Sequence, residues 1–156
     1  MYGLLNNNID GGIQSNIEQI RISLNNMFDN LENAALQLAM YNGKVADDIE
    51  TYIHTTDLLT KYEKKTAVIE SISLINASKP DIGLIFFYYA DKNQVMFENQ
   101  SVESQFNLKK LPVLANGINV TYFGPHKTVR SFQDSAVFSV ARKVNLIEGA
   151  DLYVYM

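Results

Sequence analysis

The sequence predicts an α+β chain in which helices come first and an antiparallel sheet follows. Three observations carry this expectation. Apolar residues recur at alternating spacings of four and three from Ile13 to Val45, which is a helical heptad period. That kind of period ends at Lys79-Pro80. From Ile82 onward, short β-branched and aromatic runs alternate with turn residues. Helices and strands segregated along a chain belong to the α+β class, not to a doubly wound fold. The expected organisation is a frayed start at 1–12 and one domain at 13–156.

Asn6-Asn7-Asn8 and Gly11-Gly12 disfavour regular structure, hence the frayed start. The helix that follows is expected over 13–41, with Ile13, Ile17, Ile20, Leu24, Met27, Leu31, Ala34, Leu38 and Tyr41 on its apolar stripe. It would be about 43 Å long at 1.5 Å per residue. Asn16, Glu18, Arg21, Asn25, Asp29 and Glu32 form its solvated face, and Asn42-Gly43 its stop. A second helix is expected from about Val45 to Tyr62, with Asp47 and Asp48 in its first turn, where exposed N–H groups attract acids. A third runs from about Lys64 to Ala77 and ends before Pro80.

Ile82–Tyr89 reads as a central strand buried on both faces, and Gln94–Glu98 as its hairpin partner across the Ala90–Asn93 turn. Residues 99–118 are less regular, with a short helix around Gln105–Leu111. Asn119–Phe123, Ser135–Val144 and Leu152–Met156 complete a sheet of about five strands, with Gly124-Pro125-His126 as a turn and Leu146–Ala150 as a connection. A strand reaching the last residue reads as a truncated chain.

Composition removes several function classes. There is no cysteine, so thiolate zinc sites, iron–sulfur clusters and cysteine nucleophiles are absent. The net charge of −4 gives no general attraction to nucleic acid or to an anionic membrane. No run of 18 apolar residues occurs, and the N-terminus lacks a signal-peptide pattern. The chain therefore reads as cytoplasmic, or as a soluble piece of something larger. Phosphate-binding glycine loops, HExxH, GxSxG and EF-hand signatures are missing as well.

Individual residues mostly carry ordinary readings. His54 reads as a solvated helix histidine and His126 as a turn residue or a group at a pocket rim. Neither has a metal-like neighbour at i+3 or i+4. The sequons at Asn76, Asn99 and Asn119 arise by chance in an Asn-rich chain. The aromatic loading of the strands is more informative: a small-molecule pocket needs apolar and aromatic walls with a few convergent polar groups. Tyr88, Tyr122, His126, Arg130, Asp134, Phe138 and Arg142 are the candidate ligand-binding residues on this ground. By alternation, Phe138, Val140 and Arg142 share one face. Arg142 then needs an anion, a carboxylate or water to offset its desolvation, and Asp134 is one candidate partner. No cofactor is expected.

Beyond these readings, a long amphipathic helix, two shorter helices and the runs PDIGLIFFYYADKNQVMFEN, VTYFGPHKTV and DSAVFSVARKV…ADLYVYM resemble the Cache class of extracytoplasmic sensor domains. Tyr88–Asn93 and Ser139–Val144 carry the likeness, which covers about Ile13 to Met156. The resemblance implies a PAS-like sheet on a long N-terminal helix and a small ligand (a sugar, amino acid or carboxylate). It implies the extracytoplasmic sensor of a membrane-anchored histidine kinase of a two-component system, with no enzyme activity in this stretch. A homodimer through Ile17–Leu38 is a further expectation. The alternatives are a structural or oligomerisation module built on the heptad helix, and, last, an intracellular α+β enzyme with a dispersed site.

Overall fold

The computed structural model describes residues 2–40, 43–146 and 148–156, and burial is described from Asn8 onward. The elements are α1 (Tyr2–Ala39), α2 (Lys44–His54), α3 (Leu58–Ser78), β1 (Phe86–Tyr89), β2 (Gln94–Met96), β3 (Val113–Asn116), β4 (Val120–Lys127), β5 (Ala136–Val144) and β6 (Leu152–Tyr155). The α+β expectation holds, with six strands in place of about five. Heptad position Tyr41, the stop at Asn42 and Ile147 of the 146–150 connection lie outside the described residues.

The chain divides into two compact units, 1–30 and 31–156, where one domain was expected over 13–156. Within the first, helix begins at Tyr2 and runs through the Asn triplet and Gly11-Gly12, so residues 2–12 are helical and not frayed. Propensity is a weak prior, and a continuous helix costs only about 1 kcal/mol per glycine. Ile9, Ile13, Ile17 and Ile20 of this unit are exposed.

In the larger unit, the last turns of α1 bury Leu31, Ala34, Ala35, Leu38 and Ala39. The second helix ends at His54, eight residues before the expected Tyr62, because Asp57 caps a new one. Asp57 is extended, and its carboxylate accepts the Thr60 N–H at 2.9 Å and the Thr60 hydroxyl at 2.6 Å. Those two bonds hold the Asp57 carboxyl below its usual range. Asp48 is no first-turn ornament. It is buried, and its Oδ1 takes the Lys64 ammonium at 2.7 Å, which ties α2 to α3.

The sheet order is β2-β1-β6-β5-β4-β3, antiparallel throughout. The chain lays a hairpin at one edge, crosses to the far edge, and meanders back until β6 closes against β1. In the crossing segment the expected helix is a single 3-10 turn, Leu108–Lys110, and the sixth strand is β3. Gly117 makes the β3–β4 turn: a Cβ there would sit 2.7 Å from Val120 Cγ1. The crossing is pinned to the sheet by Asn99. Its Oδ1 accepts the Ile85 N–H at 2.8 Å and its Nδ2 donates to the Gly83 carbonyl at 3.0 Å.

Cross-strand partners share a face and chain neighbours do not. Phe87, Val154, Val140, Tyr122 and Arg142 therefore look one way, onto the helices: Glu32 of α1 meets Tyr122 and Arg142, and Tyr52 of α2 packs edge-on to Phe97, which meets Phe87. Phe86, Tyr88, Tyr153 and Tyr155 look the other way. There they bury with Phe106 and Val129 beneath the crossing segment and the β4–β5 loop.

Candidate functional site

The loop-covered face is aromatic because β1 and β6 present their rings in register. Phe86 stacks on Tyr155 at 4.7 Å between centroids. Phe106, from the crossing segment, stands edge-on to Phe86, Tyr88 and Tyr155 at 5.0, 5.0 and 5.5 Å. Towards the β1–β2 turn this layer opens into a cavity of about 360 Å³. Tyr88 and Tyr153 form its floor. Asp91 and Asn93 enter from the turn after β1, and Asn107 and Lys109 from the facing 3-10 turn.

The cavity's polar groups are held by their own lattice of bonds. The Tyr88 hydroxyl donates to Asn93 Oδ1, and burial pushes its pKa up. The Asp151 N–H donates to Asp91 Oδ2 at 3.2 Å, and the Asp151 Oδ1 takes the Lys143 ammonium at 2.8 Å. That carboxylate holds the Lys143 pKa above its ordinary value. Asp151 is thereby neutralised, whereas neither Asp91 nor Lys109 has an ion-pair partner among the described residues. An aromatic floor with one open carboxylate, one open ammonium and two amides can hold and orient a small polar solute.

A second polar constellation lies deeper on the same face. A β-bulge between Phe123 and His126 adds a residue to β4, so both side chains face β5's Ser139 and Val137. Gly124-Pro125-His126 is thus an irregular stretch of strand and not a turn. His126 Nδ1–H donates to the Gly124 carbonyl at 2.7 Å, leaving Nε2 as the acceptor. Nε2 lies 3.1 Å from the Tyr155 hydroxyl and 3.3 Å from the Ser139 hydroxyl. Burial pushes the Tyr155 pKa up to about 12, with the Ser139 bond acting weakly in the opposite sense. Ser, His and Tyr in mutual contact have the look of nucleophile and base, but Ser139 and Tyr155 are 1% and 2% exposed. Both hydroxyls lie away from solvent, and the trio's contacts satisfy buried polar atoms.

The chain has no match among family models, curated proteins or solved structures.

The structure scatters the seven sequence-derived candidates. Tyr88 lines the cavity and His126 belongs to the buried trio. Arg130 and Asp134 lie on the β4–β5 loop, where Arg130 borders a separate cleft and Asp134 is exposed, 3.9 Å from Lys127. Tyr122, Phe138 and Arg142 lie on the helix-covered face. Of the partners open to Arg142, Asp134 is not the one it takes; its carboxylate is Glu32 of α1, at 3.6 Å, which also accepts the Tyr122 hydroxyl. The sequence pattern places Glu32 on the solvated face of the helix, because a lone acid in a helical pattern carries no sign of a partner ninety residues away. Tyr153, Asp91 and Asp151 are not among the seven candidates, although Tyr153 belongs to the aromatic loading of the strands. Tyr153 could have been found by pairing Leu152–Tyr155 with Phe86–Tyr89, which puts it opposite Tyr88.

Glu32 joins the long helix to two strand residues, so its removal is a direct test of that link. Glu32→Ala is expected to destabilise the protein by about 2 kcal/mol, the cost of leaving the mostly buried Arg142 guanidinium without its carboxylate. Urea unfolding gives the number. In an Arg142→Met background the same change is expected to cost less, and a cycle that shows no coupling rejects the link. Among the described residues no three His, Asp or Glu side chains cluster as metal ligands. His54 meets Glu148 at 3.1 Å on the surface.

Proposed function

We propose that this chain is a ligand-sensing module of the Cache type, non-enzymatic in this stretch, which takes a small polar molecule in the Tyr88–Tyr153 cavity. The observation that carries the reading is the division of labour between the two faces of the sheet. One face is covered by helices and tied to α1 through Glu32; the other keeps an aromatic floor with a cavity over it. A solute held on the second face bears on β1 and β6, and β6 pairs with β5, whose Arg142 meets α1. Ligand binding shifts such an arrangement by its differential affinity for two packings of sheet and helix. In this reading the module is the extracytoplasmic sensor of a membrane-anchored, two-component histidine kinase. Among the described residues no helix is long and apolar enough to cross a membrane.

The test is a calorimetric and thermal-shift screen of sugars, amino acids and carboxylates, followed by Tyr153→Ala. At least one solute is expected to raise the melting temperature through preferential binding to the folded state. Tyr153→Ala is expected to remove that rise. Silence across the library, with the Tyr88 and Tyr153 amide signals unmoved, rejects the reading.

One observation favours a second reading, a structural module that assembles through its helix. Ile9, Ile13, Ile17 and Ile20 are exposed along 1–30, at helical spacing. The homodimer seam expected over Ile17–Leu38 shortens accordingly, since Leu31, Ala34 and Leu38 belong to the core of the larger unit. A sedimenting oligomer that is lost on Ile17→Asp, together with a silent screen, would decide for assembly.

A further inference from the structure

We propose that a second cleft, between residues 100–101 and 130–133, binds an acidic sugar: a hydroxyl-rich ring bearing a carboxylate. The cleft measures about 530 Å³ and lies on the loops that cover the aromatic face. It is separate from the Tyr88–Tyr153 cavity and shares no residue with it. Its walls are Gln100, Ser101, Arg130, Ser131, Phe132 and Gln133. That is one cation, two carboxamides, two hydroxyls and one ring, with no acid among them.

Three features of the residues lining this cleft support this assignment. The first is Phe132. Its backbone sits at φ 62°, in the left-handed region, where a bulky residue is strained. Its side chain is wholly exposed. A fold that holds an aromatic residue in a costly conformation recovers nothing by pointing the ring at water, so the return comes when something covers the ring. Second, the Arg130 guanidinium has no carboxylate partner among the described residues, although Arg21 and Arg142 both have one. A planar guanidinium is the side chain best shaped for two parallel bonds to a carboxylate. Third, Gln100 Oε1 is buried and accepts no hydrogen bond from any described residue. It needs a donor, which a ligand hydroxyl supplies once the side chain turns into the cleft.

The loop is held firmly enough to keep these groups together. The Ser131 N–H donates to the Ser101 carbonyl at 2.9 Å and the Glu103 N–H to the Val129 carbonyl at 2.9 Å, around the Val102–Arg130 bridge. Asp134, the nearest acid in sequence, turns to Lys127. An apolar ring face, amide and hydroxyl groups able to both give and accept, and an open guanidinium complement the C–H face, the hydroxyls and the carboxylate of a uronate. A plain carboxylate leaves Phe132 uncovered. A neutral sugar leaves Arg130 unpaired.

Titration of the full chain with D-glucuronate, with D-glucose and with a glucuronate-containing tetrasaccharide tests this, read on the backbone amides of Ser101, Ser131 and Phe132. Saturable shifts are expected with glucuronate, and glucose is expected to bind roughly tenfold or more weakly for want of the carboxylate. Arg130→Gln is expected to remove most of that difference. Phe132→Gly relieves the backbone, so it is expected to hold or raise the melting temperature while weakening glucuronate binding roughly tenfold. Tighter binding of the tetrasaccharide identifies a polysaccharide unit as the ligand, and equal or weaker binding a free sugar acid. Absent shifts with all three sugars overturn the proposal, as do equal affinities for glucose and glucuronate, or a Phe132→Gly protein that binds like the parent. The Tyr88 and Tyr153 amides report on the other cavity separately, so failure here leaves the sensor reading standing.

Discussion

Phe86→Ala is expected to cost about 3–5 kcal/mol, the range for deleting a fully buried aromatic ring from a core. Phe86 is 0% exposed and sits where three elements meet. It stacks on Tyr155 of β6, stands edge-on to Phe106 of the crossing segment, and occupies the first position of β1. Truncation leaves a void that none of these can close without abandoning strand register or the Asn99 pin. Urea denaturation should show the midpoint fall with an unchanged slope, because the same surface is exposed on unfolding. Phe86→Leu keeps most of the volume and is expected to cost markedly less. If the two variants are equally stable, the aromatic layer is not the keystone of this face. The layer also forms one side of the Tyr88 cavity, so the Phe86→Ala protein, where it remains folded, is expected to lose whatever thermal shift the parent shows with ligand.

How far the fold could be read from the sequence depends on which interactions are local. The order of helices and strands was legible, because period 3.6 and period 2 are properties of neighbouring residues. β1, its hairpin, β5 and β6 were placed within a few residues for the same reason. Most misplaced features depended on distant partners, and one on a local signal that the apolar stripe masks in the sequence pattern. The sequence pattern ran α2 on to Tyr62 because Tyr62 continues the apolar stripe; the Asp57 cap, a local signal, outranks it. β3 has four exposed residues and so no buried alternation to betray it, and it exists by pairing with β4. The Gly124-Pro125 pair reads as a turn, yet the bulge absorbs it within β4. The site followed the same rule. Aromatic strands announced a pocket-forming sheet, and Tyr88 was found because it lies on the strongest of them. Which face each ring takes is fixed by register, so Tyr122 and Arg142 were grouped with Tyr88 although they point to opposite sides. Glu32 and Asp151 were invisible, since only tertiary structure gives them their partners.

Alkaline unfolding provides the second large effect, and its sign follows from Tyr155. Burial holds this phenol at a pKa of about 12, against about 10 in an unfolded chain. The folded state thus retains the proton more tightly than the unfolded state. Its stabilising contribution is complete below about pH 10 and is lost as pH climbs through about 12. That difference corresponds to at most about 3 kcal/mol. Lys143 and Lys64 are shifted upward by Asp151 and Asp48, so they act in the same direction, though their ammoniums are screened by solvent and contribute far less. Tyr155→Phe separates the sources. The variant lacks the ionisable group but keeps the ring that stacks on Phe86. Its stability, measured by urea at pH values from about 8 to 12, is expected to fall less steeply than that of the parent across the upper half of that range. At neutral pH the variant carries a smaller penalty, because His126 Nε2 and Ser139 lose a shared partner but still have each other. Parallel curves would place the alkaline transition elsewhere and remove Tyr155 as its cause. A curve that is flat for the variant and steep for the parent fixes the buried trio as the group that keeps β4, β5 and β6 together beneath the aromatic face, and so as the footing on which the cavity at Tyr88 and Tyr153 stands.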